Sequence, residues 1–138
     1  VTNEPRPKID FDKLPELVNH IYYPLLFNES RYLVLYGSAG SGKSVFIAQK
    51  ILYRILSEQG HSHKFLIIRK VAKTIRESVF AEMKNTINAW DMAKLFKVNK
   101  TDMTITCLNG NSIIMAGLDR RTNKLSSINL FNSVKALT

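Results

Sequence analysis

Gly37-Ser38-Ala39-Gly40-Ser41-Gly42-Lys43-Ser44 is the stretch from which the rest of this chain is read. It fits G-x-x-x-x-G-K-[ST], the phosphate-binding P-loop pattern. The three glycines let the backbone curl tightly, so that successive N–H groups point inward at phosphate oxygens. A helix beginning near Lys43 adds the partial positive charge of its N-terminus. In this pattern Gly37, Ser38, Ala39, Gly40, Ser41 and Gly42 form the cradle. Lys43 reaches the β- and γ-phosphates, and the Ser44 hydroxyl ligates Mg²⁺. With ordinary residue usage, a chance match in a chain of this length has odds of roughly 1%. A nucleotide-phosphate site is therefore the better reading than a Gly/Ser-rich linker.

The flanks agree with the motif. Arg31-Tyr32-Leu33-Val34-Leu35-Tyr36 reads as a short apolar strand entering the loop, and residues 44–58 read as a helix leaving it. Strand, glycine loop and helix is the order the motif requires. On the helix, Val45, Ile47, Ala48, Ile51, Leu52, Ile55 and Leu56 cover a broad apolar face suited to packing on a sheet. Gly60 is a plausible stop.

A second β–α unit follows. Lys64-Phe65-Leu66-Ile67-Ile68-Arg69 is an apolar run that reads as a buried parallel strand. Thr74 and Glu77 form a T-x-x-E capping box. Behind them Ile75, Val79, Phe80, Met83, Ile87 and Trp90 recur at helical spacing, an apolar stripe that belongs to the core. From residue 103 to 108 Thr alternates with apolar residues, and Asn109-Gly110 signals a hairpin turn into a returning strand over 111–116. Residues 124–138 contain no acid and no clear period. The fold these elements describe is α/β, a mostly parallel sheet flanked by helices with a β-hairpin.

Upstream of the loop, residues 1–10 carry two prolines and mixed charge and read as an extended lead-in. Residues 11–20 can hold a short helix, with Pro15 tolerated near its first turn. Ile21-Tyr22-Tyr23-Pro24-Leu25-Leu26-Phe27 is apolar and aromatic. Tyr22 or Tyr23 is either an adenine-stacking residue or, the simpler reading, a core residue. Residues 1–30 are thus a lead-in with a possible adenine-side segment, and 31–138 a partial nucleotide-binding domain.

Composition bounds the rest. The 138 residues are 45% hydrophobic and 22% charged, the balance of one globular domain with a real core. No apolar run approaches a membrane span, and the N-terminus lacks a signal-peptide pattern. The single cysteine, Cys107, rules out an intramolecular disulfide and reads as a small buried hydrophobe, which suits a reducing cytoplasm. His61 and His63 flank Ser62, but no third ligand stands nearby, so a polar turn is the better reading than a metal site. The net charge of +9 is uneven: residues 1–60 hold seven Lys/Arg against six Asp/Glu, and residues 61–138 hold thirteen against five. That asymmetry suggests a polyanionic partner such as nucleic acid, although solvated lysines on helix faces need none.

Hydrolysis needs more than phosphate binding: a carboxylate to hold Mg²⁺ and a base, often Glu, to orient the attacking water. The one later apolar run that ends in an acid is Ile113-Ile114-Met115-Ala116-Gly117-Leu118-Asp119, which makes Asp119 the candidate magnesium carboxylate. Gly117 interrupts that run, Arg120 stands where a catalytic Glu is wanted, and no acid follows. The sequence therefore offers no clear Walker B carboxylate and no catalytic Glu. Arg69, Arg76, Arg120 and Arg121 are candidates for an arginine finger that neutralises charge on the γ-phosphate. Arg69 leads because it ends a buried strand on the side where such loops lie.

Residues 36–49 (Y-G-S-A-G-S-G-K-S-V-F-I-A-Q) resemble the start of the ATPase domain in tailed-phage terminase large subunits. Phe65-Leu66-Ile67-Ile68-Arg69-Lys70 and Thr74-Ile75-Arg76-Glu77-Ser78-Val79-Phe80 resemble that family's second strand and helix. Asn109-Gly110-Asn111, Gly117-Leu118-Asp119 and Lys124-Leu125 resemble its N-G-S, G-L-D and K-L-K-S-I stretches. The likeness runs over roughly residues 20–128. It implies a P-loop NTPase of the additional-strand class that binds ATP and Mg²⁺ and packages double-stranded DNA into proheads. It also implies a small terminase subunit and a portal protein as partners, a ring of copies, and the bacterial host cytoplasm as location. Ala39 stands where the family often has Arg, and the family's nuclease domain is missing from the chain. Two other readings stand beside this one: a non-catalytic nucleotide-binding prophage remnant, and a small P-loop kinase-like enzyme. On either of the first two, the chain by itself binds nucleotide with little or no turnover.

Overall fold

The computed structural model describes residues 11–57, 63–70, 72–74, 78–118 and 134–137. After a single 3-10 turn come two short helices, α1 (Leu14–Leu17) and α2 (Tyr23–Leu26), and then the long helix α3 (Lys43–Ser57). Strand β1 (Lys64–Arg69), the short α4 (Ala72–Thr74) and α5 (Phe80–Ala89) follow. The chain continues through β2 (Phe96–Asn99), β3 (Thr104–Cys107), β4 (Ser112–Gly117) and β5 (Val134–Leu137).

The strands form one sheet in the order β2-β3-β4-β1-β5. β1 is parallel to both β4 and β5, in register Phe65↔Ile113 and Phe65↔Lys135, whereas β2–β3 and β3–β4 are antiparallel. The sheet is thus mixed rather than mostly parallel. Helix α3, strand β1 and the hairpin around Asn109-Gly110 form where the sequence places them. β1 is buried at Phe65, Leu66 and Ile67 in succession, as a strand covered on both faces must be. Phe65 and Ile67 join one core with Ile105, Ile113, Met115 and the helices.

α3 is buried almost all the way round. The i, i+3, i+4 set Ala48, Ile51, Leu52, Ile55 and Leu56 belongs to the core cluster, with Ile51, Leu52 and Ile55 fully buried. Each such side chain contributes roughly 1.5–3 kcal/mol relative to exposure. Val45, expected on this face, stands 40% exposed at the helix start. α5 packs beside α3 and sends Phe80, Met83 and Ile87 into the same core. It ends in a Schellman motif: the Met92 N–H donates to Ile87 O and the Asp91 N–H to Asn88 O, both at 3.0 Å. The left-handed residue there is Asp91 (φ 54°) rather than glycine.

Residues 31–36 are not a strand. They have no ladder partner among the described residues, with Leu33 and Leu35 against the core and Tyr32, Val34 and Tyr36 turned out, 77, 81 and 93% exposed. The alternating apolar pattern is what the sequence showed. A strand also needs a neighbour, and the sheet closes on β1 and β5 instead. Glu77 of the capping box, Gly60 and His61 lie outside the described residues.

The hairpin turn is tied to the C-terminal end of α3. The amides of Asn109 and Asn111 both donate to Ile55 O, at 2.7 and 2.9 Å, and Asn111 Oδ1 accepts the His63 N–H at 2.8 Å. A helix leaves its last four carbonyls without partners in the helix, and the two asparagines meet one of them here. Asn111 is fully buried. Replacing Asn111 by Ala should destabilise the fold by about 1–3 kcal/mol in urea unfolding, because it removes a buried amide that bonds both Ile55 O and the His63 N–H. Asn109→Ala should also destabilise it, since the Asn111 N–H then loses Asn109 Oδ1, which accepts it at 3.1 Å.

Candidate phosphate-binding site

The glycine loop hands directly into α3. Phe46 N–H donates to Gly42 O at 2.9 Å, which makes Gly42 the residue that caps the helix, and Lys43 its first member. The first N–H groups of any α-helix have no acceptor inside it, and they carry the positive end of its dipole. Gly42 has φ +85°, where an L side chain is strained, and a Cβ there would also meet the Tyr22 ring at 3.4 Å. At Gly37 a Cβ would come within 3.2 Å of Ser41 Oγ and 3.7 Å of Lys43 Nζ. Both glycines are needed where they stand.

Lys43 closes the loop on itself. Its Nζ donates to Gly37 O at 2.9 Å, Ser38 O at 2.7 Å and Ser41 Oγ at 2.8 Å. An ammonium has three protons, and all three are used. Two acceptors are backbone and fixed, while the third is a rotatable hydroxyl that an anionic oxygen can replace with a stronger bond. Ser44 follows on the first turn of α3, exposed. The structure thus gathers Gly37, Ser38, Ser41, Gly42, Lys43 and Ser44 at one helix end, with Ala39 and Gly40 at the exposed tip of the turn.

The segment before the loop is fastened to the same helix. Gln49 Nε2 donates to Leu17 O at 2.9 Å, and Lys50 Nζ donates to Leu25 O, Leu26 O and Asn28 O at 2.7, 3.1 and 2.9 Å. Those carbonyls belong to the C-terminal end of α2 and the turn after it, so a cation is well placed there. Burial pushes the Lys50 pKa down from its ordinary value, Arg54 pushes it the same way, and Glu29 opposes both. Tyr22 stacks on Phe46 with ring centroids 5.0 Å apart, and its hydroxyl donates to Ser41 O at 2.8 Å. Tyr23 meets Phe27 edge-on, and Phe27 meets Tyr53 in the same way. Both tyrosines are half-buried and pack against the core.

Arg69 ends β1, exposed, with Nη1 donating to Ser78 Oγ at 2.8 Å, and Ser78 Oγ donates in turn to Thr74 O. No hydrogen bond among the described residues joins Arg69 to residues 37–44. The main chain of Arg69 accepts the Leu118 N–H at 2.9 Å, which holds the ends of β1 and β4 together. Asp119, Arg76, Arg120 and Arg121 lie outside the described residues. Among the described residues no group of three or more His, Cys, Asp or Glu is placed to hold a metal, and no helix is long and apolar enough to cross a membrane. Cys107 is buried, and that burial pushes its thiol pKa up, as expected of an unreactive core residue.

Sequence reading missed Lys50, Gln49 and the Tyr22–Ser41 bond. A lysine two turns into an apolar helix is the one signal that was available for the first.

Residues 29–136 match the family profile of the phage terminase large subunit, and the chain belongs to that family. It is 38% identical over 96 residues to the terminase large subunit of Bacillus phage SPP1, covering 69% of this chain and 22% of that protein. It is 31% identical over 112 residues to the PBSX phage terminase large subunit of Bacillus subtilis strain 168, covering 80% of this chain and 25% of that protein. The chain therefore spans about a quarter of the length of these relatives.

Substituting Lys50 by Met keeps the apolar stem and removes the donors from three carbonyls. The variant should lose about 2–3 kcal/mol of stability in urea unfolding. Residues 17–28 should also become open to limited proteolysis at protease concentrations that leave the parent chain intact.

Proposed function

We propose that this chain is the nucleotide-binding part of a phage DNA-packaging ATPase, a member of the additional-strand class of P-loop NTPases. The observation that carries the reading is the geometry at the start of α3. A loop curled by Gly42 lies at a helix N-terminus, with the Lys43 ammonium held over it by the Gly37 and Ser38 carbonyls. Positive charge, a helix N-terminus and a hydroxyl on the first helical turn suit a polyphosphate. Residues 37–42 hold the phosphates, Lys43 stabilises the β- and γ-phosphates, and Ser44 takes part in holding Mg²⁺. A bound Mg²⁺ would also need a carboxylate from the protein beside that one hydroxyl. Asp119 is the carboxylate the sequence offers for that place, and Arg69 the arginine for a developing γ-phosphate charge.

Family membership supports double-stranded DNA as the polymer moved, a small terminase subunit and a portal protein as partners, a ring of copies, and the host cytoplasm as the setting. The charge pattern agrees. Lys94, Lys97 and Lys100 are exposed along the edge strand β2 and its flanks, in the half of the sequence that carries the positive excess.

Calorimetric titration with Mg·ATP and Mg·GTP tests the reading. The chain should bind Mg·ATP saturably, and Lys43→Ala should weaken that binding by at least about tenfold, since a charge-assisted bond to phosphate is lost. Heat that is the same with and without Lys43 would count against the site. Turnover by the 138-residue chain should be negligible, and Lys43-dependent phosphate release in a steady-state assay would overturn that expectation.

A further inference from the structure

We infer that the Tyr22 phenol sets the shape of the 37–44 loop and is a positioning residue for the phosphate groups bound there; the inference rests on the nucleotide reading above. Three contacts surround the last turn of the loop. The Tyr22 hydroxyl donates to Ser41 O at 2.8 Å, its ring edge stands 3.4 Å from where a Cβ on Gly42 would be, and its ring face lies on Phe46. A trans peptide unit is planar, with C=O and N–H pointing in opposite directions. Pinning the Ser41 carbonyl toward Tyr22 therefore aims the Gly42 N–H away from Tyr22. That N–H is one of the donors on which anion binding by such a loop depends.

The placement of Tyr22 is itself fixed from both sides. Gln49 holds Leu17 O on one side of it in sequence, and Lys50 holds Leu25 O, Leu26 O and Asn28 O on the other. All four bonds come from the body of α3, the helix whose first turn the loop enters. A phenol carried on this strap and anchored to the helix works as a rigid stop behind the loop. Tyr22 acts on the phosphates through the Ser41 peptide, not by touching a base.

Tyr22→Phe removes the one oxygen and keeps the ring on Phe46. Its affinity for Mg·ATP and for Mg·tripolyphosphate should fall by the same factor, about two- to tenfold, the range for one hydrogen bond. Backbone ¹⁵N order parameters of residues 38–42 should fall, with those of the body of α3 unchanged. Weaker Mg·ATP binding with unaltered tripolyphosphate binding would place Tyr22 at the base and overturn the inference. Unchanged affinities with unchanged order parameters would also overturn it. Failure of the parent chain to bind Mg·ATP would sink the nucleotide reading instead. The order parameters would then decide the role of Tyr22 alone, a constant value refuting it and a fall confined to the loop sustaining it.

Discussion

A helix buried on nearly every side must find partners for whatever polar groups it buries, and α3 meets that demand with four side chains from itself and its neighbours. Gln49 and Lys50 face residues 17–28 rather than the sheet, and each ends on main-chain carbonyls. An ammonium removed from water is costly unless its donors are met, and three carbonyls meet the three donors of Lys50. At the far end Asn109 and Asn111 supply donors to Ile55 O. The helix is thus fixed along its length and at its C-terminus. Its N-terminus opens toward solvent, and there the glycine loop ends. The rigidity of that end comes from bonds made elsewhere on the same helix.

Local signals made part of this fold legible. Apolar spacing announced α3, the run Phe65-Leu66-Ile67 announced a buried strand, and Asn109-Gly110 announced the hairpin. Each depends on residues near one another in sequence. The stretch at 31–36 shows the opposite case. Its alternation is visible, with Leu33 and Leu35 inward, but a ladder is a property of two segments. β2 went unread because only Phe96 and Val98 are apolar in it and all but Phe96 are exposed. The end of α5 was hidden because Asp91 adopts the left-handed conformation usually left to glycine.

The candidate site divides along the same line. Gly37 to Ser44 is a contiguous motif and was readable as such. The partners of Lys43, two of them carbonyls at the start of the loop, follow from the motif's own curl. The bond from Tyr22 to Ser41 spans nineteen positions and carries no sequence signature. Lys50 looks like an ordinary surface lysine until the carbonyls of residues 25–28 are brought over it. Motifs report the groups that touch a ligand; the groups that hold those in place come from packing.

Strand β2 and the stretch at 32–36 are treated very differently. β2 is one edge strand of the sheet, and Lys94, Lys97 and Lys100 on it and its flanks set charge along its rim, a common deterrent to unwanted pairing. The stretch Tyr32-Leu33-Val34-Leu35-Tyr36 has no charge within it, three bare apolar side chains, and a backbone with no ladder partner among the described residues. Such a segment is a ready template for cross-strand association between molecules. Self-association in concentrated solution should therefore begin here, beside the glycine loop, and a single lysine at Val34 would supply the kind of gatekeeper that β2 already carries.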